Sequence, residues 1–213
     1  MNPAARRDTL RLDDAGVHFL IGDISVSVRS ELEEALEDFT ILYSVYRGSC
    51  AAADRTIHME VRAGKRWPLG GRRYAIFGDG EELFTNRRHD EVLPYLEWGI
   101  NWRVIATRTE YVQLHAATLA YEEQAVVFAG PSGTGKSTLA AGLLARGWRY
   151  LSDEFALIDS DTRHVHPFPK ALCIKAGSFD VVERLNLPLW RRRHYVKAFK
   201  GRVGYLRAQD IAR

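Results

Sequence analysis

The sequence predicts an α/β fold in two parts, and three observations support that prediction. Residues 1–88 contain short apolar runs of strand character around one helical stretch. A longer apolar helical pattern follows over residues 89–110. Within residues 111–213, a strand leads through a glycine-rich turn into a helix, which is the repeating unit of α/β domains. We therefore expect a small N-terminal α+β subdomain, a connecting helix and an α/β domain.

The composition is that of a globular protein. Of the 213 residues, 46% are hydrophobic and 27% are charged, a balance typical of chains that bury a core. No apolar stretch approaches the roughly 20 residues that span a bilayer, and no signal peptide is evident. Cys50 and Cys173 show no metal-binding spacing. The net charge of +3 is too small to indicate nucleic acid. Composition thus predicts a cytoplasmic protein with neither nucleic acid nor membrane as a partner.

The N-terminal subdomain is predicted to begin with a β-hairpin and a helix. Residues 17–28 form two apolar runs with a turn at Gly22 between them. Ser30 and Glu33 have the spacing of a capping box, which predicts a helix through about Tyr46.

The connecting helix follows two more predicted strands, at 57–61 and 74–77. It is expected from near Asp90 to about Thr107, and it carries tryptophans at positions 98 and 102. These tryptophans are either an aromatic platform for a base or peptide, or packing between the two parts. The helical spacing favours packing.

The most informative segment is residues 130–137, which match the phosphate-loop (P-loop) pattern G-x-x-x-x-G-K-[ST] at every fixed position. A strand-like run at 125–129 precedes it and a helical pattern to Arg146 follows. In such a loop, backbone N–H groups converge on phosphate oxygens, and the helix N-terminus adds partial positive charge. The sequence therefore predicts a nucleoside triphosphate site.

The predicted nucleotide-binding residues are consecutive: Gly130, Pro131, Ser132, Gly133, Thr134, Gly135, Lys136, Ser137 and Thr138. Lys136 is expected to contact the β- and γ-phosphates, and the Ser137 hydroxyl to complete the shell of a Mg²⁺ ion. ATP and Mg²⁺ are thus the expected cofactors, although a P-loop reads the phosphates and not the base.

Two acidic residues, Asp153 and Glu154, follow the next predicted strand at 148–152. Neighbouring strand ends lie beside the P-loop in the expected sheet, so both carboxylates can approach the metal and the γ-phosphate. In a hydrolytic ATPase the Asp would support Mg²⁺ and the Glu would polarise a water. In a kinase one carboxylate would accept the proton of an acceptor hydroxyl while the other serves the metal.

A further candidate is His115, on a predicted strand over residues 112–120 beside the P-loop. It is either a core histidine or a catalytic residue near the nucleotide.

Several segments resemble the HPr kinase/phosphorylase group, and most closely the HPr kinase-related proteins associated with peptide-modification gene clusters. They are Leu-His-Ala at 114–116, the P-loop, and Ala-Arg-Gly-Trp-Arg-Tyr-Leu-Ser-Asp-Glu at 145–154. Residues 96–102 and 167–170 share the likeness.

The resemblance covers roughly residues 90–185 and implies a P-loop kinase domain of HPr kinase type. Such a kinase uses ATP to phosphorylate a serine in a protein or peptide and forms oligomers. By position, the resemblance gives Asp153 the acid/base role, Glu154 a metal or orienting role, and His115 a place near the active site. The downstream signature of the family is poorly matched at 200–204, and relatives continue past residue 213, so a truncated domain is one expectation.

The basic tail after Trp190 has two interpretations. Its basic residues, Lys197, Lys200 and Arg202 among them, could clamp an acidic peptide, or one arginine could contact the transferring phosphoryl group. Alternatively, the tail is a solvated surface.

Three functions remain open from the sequence. The first is a kinase that acts on a hydroxyl, with Asp153 as base and Lys136 stabilising phosphoryl charge. The second is a nucleotide-dependent binding or switch module with slow ATP hydrolysis. The third is a kinase for a small molecule.

Overall fold

The computed structural model describes residues 16–48, 56–65, 71–86 and 88–211. These ranges form a mixed α/β structure with one five-stranded sheet and three three-stranded sheets. None of the helices in the described ranges is long and apolar enough to cross a membrane. Cys50 lies outside the described residues.

The N-terminal sheet has the strand order β1-β2-β3-β4-β5. Its strands are Val17–Ile21 (β1), Ile24–Ser30 (β2), Thr56–Lys65 (β3), Arg72–Gly78 (β4) and Glu81–Asn86 (β5). β2 and β3 pair in parallel, and the other neighbours pair antiparallel. The predicted hairpin at 17–28 and the strands at 57–61 and 74–77 are confirmed, whereas β5 was not predicted.

Helix α1 (Glu33–Leu42) crosses between the parallel strands β2 and β3, and its predicted start and end are wrong in detail. The N-cap position is held by Leu32, and no side chain caps the helix. The Ser30 hydroxyl accepts a hydrogen bond from the Leu32 N–H (3.0 Å) and donates one to the Leu32 carbonyl (2.8 Å). Ser30 therefore stabilises the turn before the helix. A separate 3-10 turn, Ser44–Tyr46, follows α1.

Helix α2 (Val92–Thr107) has nearly the predicted bounds, and it packs on the N-terminal sheet. Gly99 permits the close approach, because a Cβ there would lie 2.6 Å from Met59 Cε. The favoured packing role of the tryptophans is wrong for Trp102, which is 54% exposed. Trp98 is 40% exposed and stacks on Phe84 with ring centroids 5.3 Å apart.

The remaining elements form three antiparallel sheets, ordered β8-β7-β9, β11-β10-β6 and β12-β14-β13. They are Tyr111–Leu114 (β6), Ala116–Tyr121 (β7), Gln124–Ala129 (β8), Lys136–Leu144 (α3), Arg149–Ser152 (β9), Ala156–Asp159 (β10), Val165–His166 (β11), Leu172–Lys175 (β12), Phe179–Arg184 (α4), Trp190–Lys197 (β13), Gly201–Leu206 (β14) and Ala208–Ile211 (α5). The sequence did not predict β13 or β14.

The predicted strand at 112–120 is two strands, β6 and β7, broken at His115. Their partners, β10 and β9, are broken opposite that point. Leu114 pairs with Ala156 and Thr118 with Ser152, so three residues on each chain segment lie between the two ladders. One long antiparallel pair is thus interrupted, and the interruption contains both His115 and the acidic pair.

The core is shared between the N-terminal and C-terminal halves. The larger hydrophobic cluster joins the N-terminal sheet, α1 and α2 with residues such as Leu157, Phe168 and Tyr205. A smaller cluster surrounds α3, where Ala140 and Ala141 pack with Leu172. The N-terminal sheet therefore supports the region that carries the P-loop.

A buried polar network joins α2 to the segment after β11. Lys170 is 2% exposed, and its Nζ donates to the Glu97 carbonyl and to Asn101 Oδ1, each at 2.8 Å. The Lys170 ammonium also lies 3.0 Å from the Glu97 carboxylate, which accepts a hydrogen bond from the Tyr43 hydroxyl. The two segments that share this network are those at 96–102 and 167–170.

Lys170→Met should destabilise the fold by about 3–5 kcal/mol, because it leaves the buried Glu97 carboxylate without its cation. Adding Glu97→Gln should recover part of that loss. The control is Arg73→Ala, which breaks the exposed Arg73–Glu82 pair (2.7 Å) and should cost less than about 1 kcal/mol. Urea denaturation measures all three variants. Equal costs for Lys170→Met and Arg73→Ala would contradict this account.

Candidate functional site

The candidate site lies where three chain segments meet at one edge of the β8-β7-β9 sheet. β8 and β9 each pair antiparallel with β7, so their C-terminal ends lie at the N-terminal end of β7. Ala129, the last residue of β8, pairs with Ala116, the first of β7. The P-loop, His115 and the acidic pair therefore meet at this edge. The expectation that β9 neighbours the P-loop strand is wrong, because β7 lies between them.

The P-loop curls over the start of α3. Gly133 and Gly135 both have φ of +93°, a backbone conformation that side chains disfavour. Lys136 Nζ donates to the carbonyl oxygens of Gly130 (2.6 Å) and Pro131 (3.0 Å). The Thr134 hydroxyl also donates to the Pro131 carbonyl, at 2.9 Å. The lysine thus bonds to its own loop.

A cleft beside the loop collects most of the predicted site residues. On the P-loop side it is lined by Ser132, Gly133, Gly135, Lys136, Ser137 and Thr138, and at the strand ends by His115, Asp153 and Glu154. The Thr138 hydroxyl lies 2.6 Å from that of Ser178, which precedes α4 and also lines the cleft.

Asp153 is bound to the P-loop through Ser137. The Ser137 hydroxyl donates to Asp153 Oδ2 at 2.6 Å, while the buried Oδ1 has no hydrogen-bond partner among the described residues. Burial and the negative charge of Glu154 raise the pKa of Asp153 to about 7, against the lowering effects of Ser137, Lys197 and Lys136. Asp153 can therefore gain and lose a proton near neutral pH.

Glu154 differs from its neighbour in charge environment. Burial raises the pKa of Glu154. The positive charges around it, Lys197 and Lys170 first, lower that pKa by more, so it lies below its ordinary value. Its Oε1 is 3.8 Å from Lys197 Nζ. Because its pKa is lowered, Glu154 is ionised at neutral pH. Ser137, the other predicted metal ligand, contacts Asp153 and not Glu154.

His115 lies in the strand interruption, with Nδ1 3.0 Å from the backbone carbonyl oxygen of Glu154. A carbonyl only accepts, so Nδ1 carries the hydrogen, which leaves Nε2 as an acceptor in the neutral ring. The His115 side chain is exposed, not in the core. It links the acidic turn to the start of β7.

Three further lysines line the rest of the cleft, and of these the sequence pointed to Lys197 and Lys200 as members of the basic tail but not to Lys175. Lys175 ends β12, Lys197 ends β13, and Lys200 lies in the turn before β14. Contact of Lys197 and Lys200 with the site depends on the β13–β14 hairpin, which the sequence did not predict.

The arginines of the tail have partners elsewhere. Arg192 lies 2.8 Å from Glu37 of α1, and Arg193 lies 3.0 Å from Glu34. Arg202 lies 2.9 Å from His194 Nδ1 and does not line the cleft. The expectation that the arginines clamp a peptide or contact the phosphoryl group is not supported, because the tail is a paired hairpin that forms ion pairs with α1.

The residues present fit a Mg²⁺ ion. Ser137 offers a hydroxyl and Glu154 an ionised carboxylate in the same cleft, and Mg²⁺ prefers such hard oxygen ligands together with phosphate oxygens and waters. Within the part of the chain described, no group of three or more His, Cys, Asp or Glu side chains could hold a metal. A Mg²⁺ ion here would therefore depend on a bound nucleotide for further ligands.

Comparison with known families gives one match. A family model described as SynChlorMet cassette protein ScmC matches residues 94–184, from α2 to the last residue of α4. The matched region contains the P-loop, Asp153 and the Glu97–Lys170 network, and it covers less than half of the chain. Neither the comparison with curated proteins nor that with solved structures gives a match.

This match corrects the resemblance to the HPr kinase/phosphorylase group and its peptide-cluster relatives. The family model that matches is ScmC and not an HPr kinase family, so that resemblance is wrong. The serine acceptor, the oligomer and the HPr kinase type of fold lose the support it gave. The chemistry of the P-loop and of Asp153 does not depend on it.

The raised pKa of Asp153 has a consequence for stability. Since the folded-state pKa is about 7 and the ordinary value is 3.8, the carboxyl stabilises the fold at low pH, and that contribution is lost as pH rises through about 7. Asp153→Asn removes the buried charge and keeps an acceptor for Ser137. As pH rises from 5 to 8, we expect the free energy of unfolding of this variant to increase by about 1–2 kcal/mol relative to that of wild type, after allowance for solvent screening.

Thermal denaturation across that pH range measures the difference. Asp161→Asn, at an exposed position, is the matched control and should follow wild type at every pH. If the stability of wild type and of Asp153→Asn changed in parallel with pH, the pKa of Asp153 would not be raised in the folded protein.

Proposed function

We propose that the protein is an ATP-dependent phosphotransferase, a kinase that moves the γ-phosphoryl group of ATP to a hydroxyl acceptor. The observation that supports this most is Asp153. It is a half-buried residue whose carboxyl has a pKa of about 7, one buried and unpartnered oxygen, and a hydrogen bond from the Ser137 hydroxyl of the P-loop. A general base works best when its pKa lies near the operating pH.

The loop residues would bind the nucleotide. Lys136 would leave the carbonyls of Gly130 and Pro131 and donate to the β- and γ-phosphates, together with N–H groups at the start of α3. This exchange costs two hydrogen bonds within the loop and gains charge-assisted ones, which are stronger.

In the transfer step, the acceptor oxygen attacks the γ-phosphorus and forms the new P–O bond as the bond between that phosphorus and the β,γ-bridging oxygen breaks. The hydroxyl proton passes to Asp153 Oδ1, ADP leaves, and Asp153 later releases the proton to water. Lys136 stabilises the charge on the phosphoryl oxygens. His115 holds the acidic turn through its bond to the Glu154 carbonyl.

Asp153 suits the base role better than Glu154 does. Lys197 and Lys170 keep the pKa of Glu154 low, so Glu154 stays ionised and is a weak base. Ser137 and Glu154 would hold Mg²⁺, which leaves the unpartnered Oδ1 of Asp153 to accept the proton. When bound, Mg²⁺ would neutralise phosphate charge. Because this reaction consumes ATP, we assign the protein to the cytoplasm.

The direct test is mass spectrometry of hydroxyl acceptors after incubation with Mg²⁺ and ATP. Serine-containing peptides and small hydroxy compounds form separate arms. We expect one acceptor to gain a phosphate. Asp153→Asn should lower transfer by about 10²–10⁴-fold, the usual contribution of a general base, while ATP affinity changes only a few-fold. Lys136→Ala should lose both, and Arg149→Ala, at an exposed position on β9, should keep both.

Unchanged transfer by Asp153→Asn would contradict the assigned base. If ATP is hydrolysed slowly at one rate with and without every acceptor, the nucleotide-dependent switch module becomes the better description.

The pH dependence of transfer gives a second test. Lys197 lowers the pKa of Asp153, so Lys197→Ala should raise that pKa and move the acidic limb of kcat/KM to higher pH. Lys197→Arg keeps the charge and should leave the limb in place. A limb that does not move in Lys197→Ala would mean that another group controls it.

A further inference from the structure

Two lysines of the cleft form no direct ion pair, although the charge of Glu154 acts on Lys200 at longer range. Lys175 and Lys200 line the cleft together with Ser137 and Asp153. Within the described ranges, neither side chain makes a hydrogen bond or an ion pair. Both come from the β12-β14-β13 sheet and its turn, whereas the nucleotide-binding residues come from the P-loop and α3.

The other two lysines of the cleft are already engaged. Lys136 bonds to the carbonyls of its own loop, and Lys197 faces Glu154 at 3.8 Å. Lys175 and Lys200 therefore supply positive charge beyond what the side chains lining the cleft neutralise.

The lysines are close enough to affect one another. Burial lowers the pKa of Lys200, and the positive charges of Lys197 and Lys175 lower it further, against a smaller raising effect of Glu154. Holding like charges together is unfavourable in the free protein. A bound anion would relieve that repulsion, because an ammonium group pairs with carboxylate and phosphate as a compact charge.

The nucleotide does not account for this second cationic group. In a P-loop site the triphosphate lies on the loop N–H groups and the loop lysine, here Lys136. Lys175 and Lys200 belong to a different sheet, on elements that follow the P-loop in the chain, and share the cleft with the Asp153 carboxyl that would accept the acceptor's proton.

We infer that Lys175 and Lys200 bind an anionic group of the acceptor, so that the acceptor is a hydroxyl compound with a carboxylate or phosphate close to the hydroxyl. This inference rests on the proposed kinase function. The same chemistry is offered by acidic residues beside a peptide serine and by a small hydroxy acid or phosphate ester.

Calorimetric binding to the full chain, with Mg²⁺ and β,γ-imido-ATP present, tests the inference. The first probe pair consists of two pentapeptides with a central serine. In one peptide the four flanking residues are aspartates, and in the other they are asparagines. The other pair is glycerol 3-phosphate and glycerol. We expect one acidic probe to bind at least tenfold more tightly than its uncharged partner. The acidic probe that binds then shows whether the acceptor is a peptide or a small molecule.

The variant Lys175→Ala/Lys200→Ala should weaken that binding tenfold or more and leave the Kd of the nucleotide within twofold. Arg72→Ala/Arg149→Ala removes two exposed positive charges outside the cleft lining and should change neither. Far-UV circular dichroism checks that the variants fold.

The inference is overturned if neither acidic probe binds better than its partner, or if the lysine variant weakens nucleotide binding to the same degree. Phosphate transfer to the same probes separates this inference from the proposed function. If an acidic probe binds through the lysines but no acceptor is phosphorylated, the anion site stands and the kinase proposal fails. If charged and uncharged acceptors are phosphorylated equally by wild type and variant, the kinase proposal stands and the anion site fails.

Discussion

The site depends on the interruption of one long antiparallel strand pair. β6 and β7 run against β10 and β9, and both segments leave the regular ladder between Leu114 and Thr118 and between Ser152 and Ala156. An unbroken ladder would commit these backbone groups to pairing and fix each side chain to one face of a sheet. The break instead lets His115 bond to the Glu154 carbonyl and lets Asp153 reach Ser137 of the P-loop.

This geometry places two adjacent carboxylates in different electrostatic environments. Asp153 is buried beside Glu154, which keeps its pKa near 7. Glu154 is close to Lys197 and Lys170, which keep it ionised. Lys170 in turn is fixed by the buried network with Glu97 and Asn101 of α2. Helix α2, which holds Lys170 in place, therefore affects the charge state of a site whose cleft it does not line.

Local signals in the sequence predicted much of the fold and part of the site. The hairpin at 17–28, helix α2 and the strand–loop–helix unit around 130–137 depend on short-range patterns, and the structure contains them. The order of the strands could not be predicted, because β7 lies between β8 and β9 through long-range pairing. The β13–β14 hairpin was missed because its first strand is dense in arginine, whose charges pair with α1. For the same reason the position of Lys197 and Lys200 in the cleft could not be predicted from the sequence.

The central claim is that the P-loop and Asp153 form one phosphoryl-transfer site. A crystal structure with Mg²⁺ and β,γ-imido-ATP tests it most directly. The account requires the triphosphate on the loop, Lys136 moved from the Gly130 and Pro131 carbonyls to the phosphates, and the γ-phosphate on the same side as Asp153 Oδ1. A nucleotide bound elsewhere, or a γ-phosphate directed away from Asp153 with Lys136 still bonded to its own loop, would contradict it.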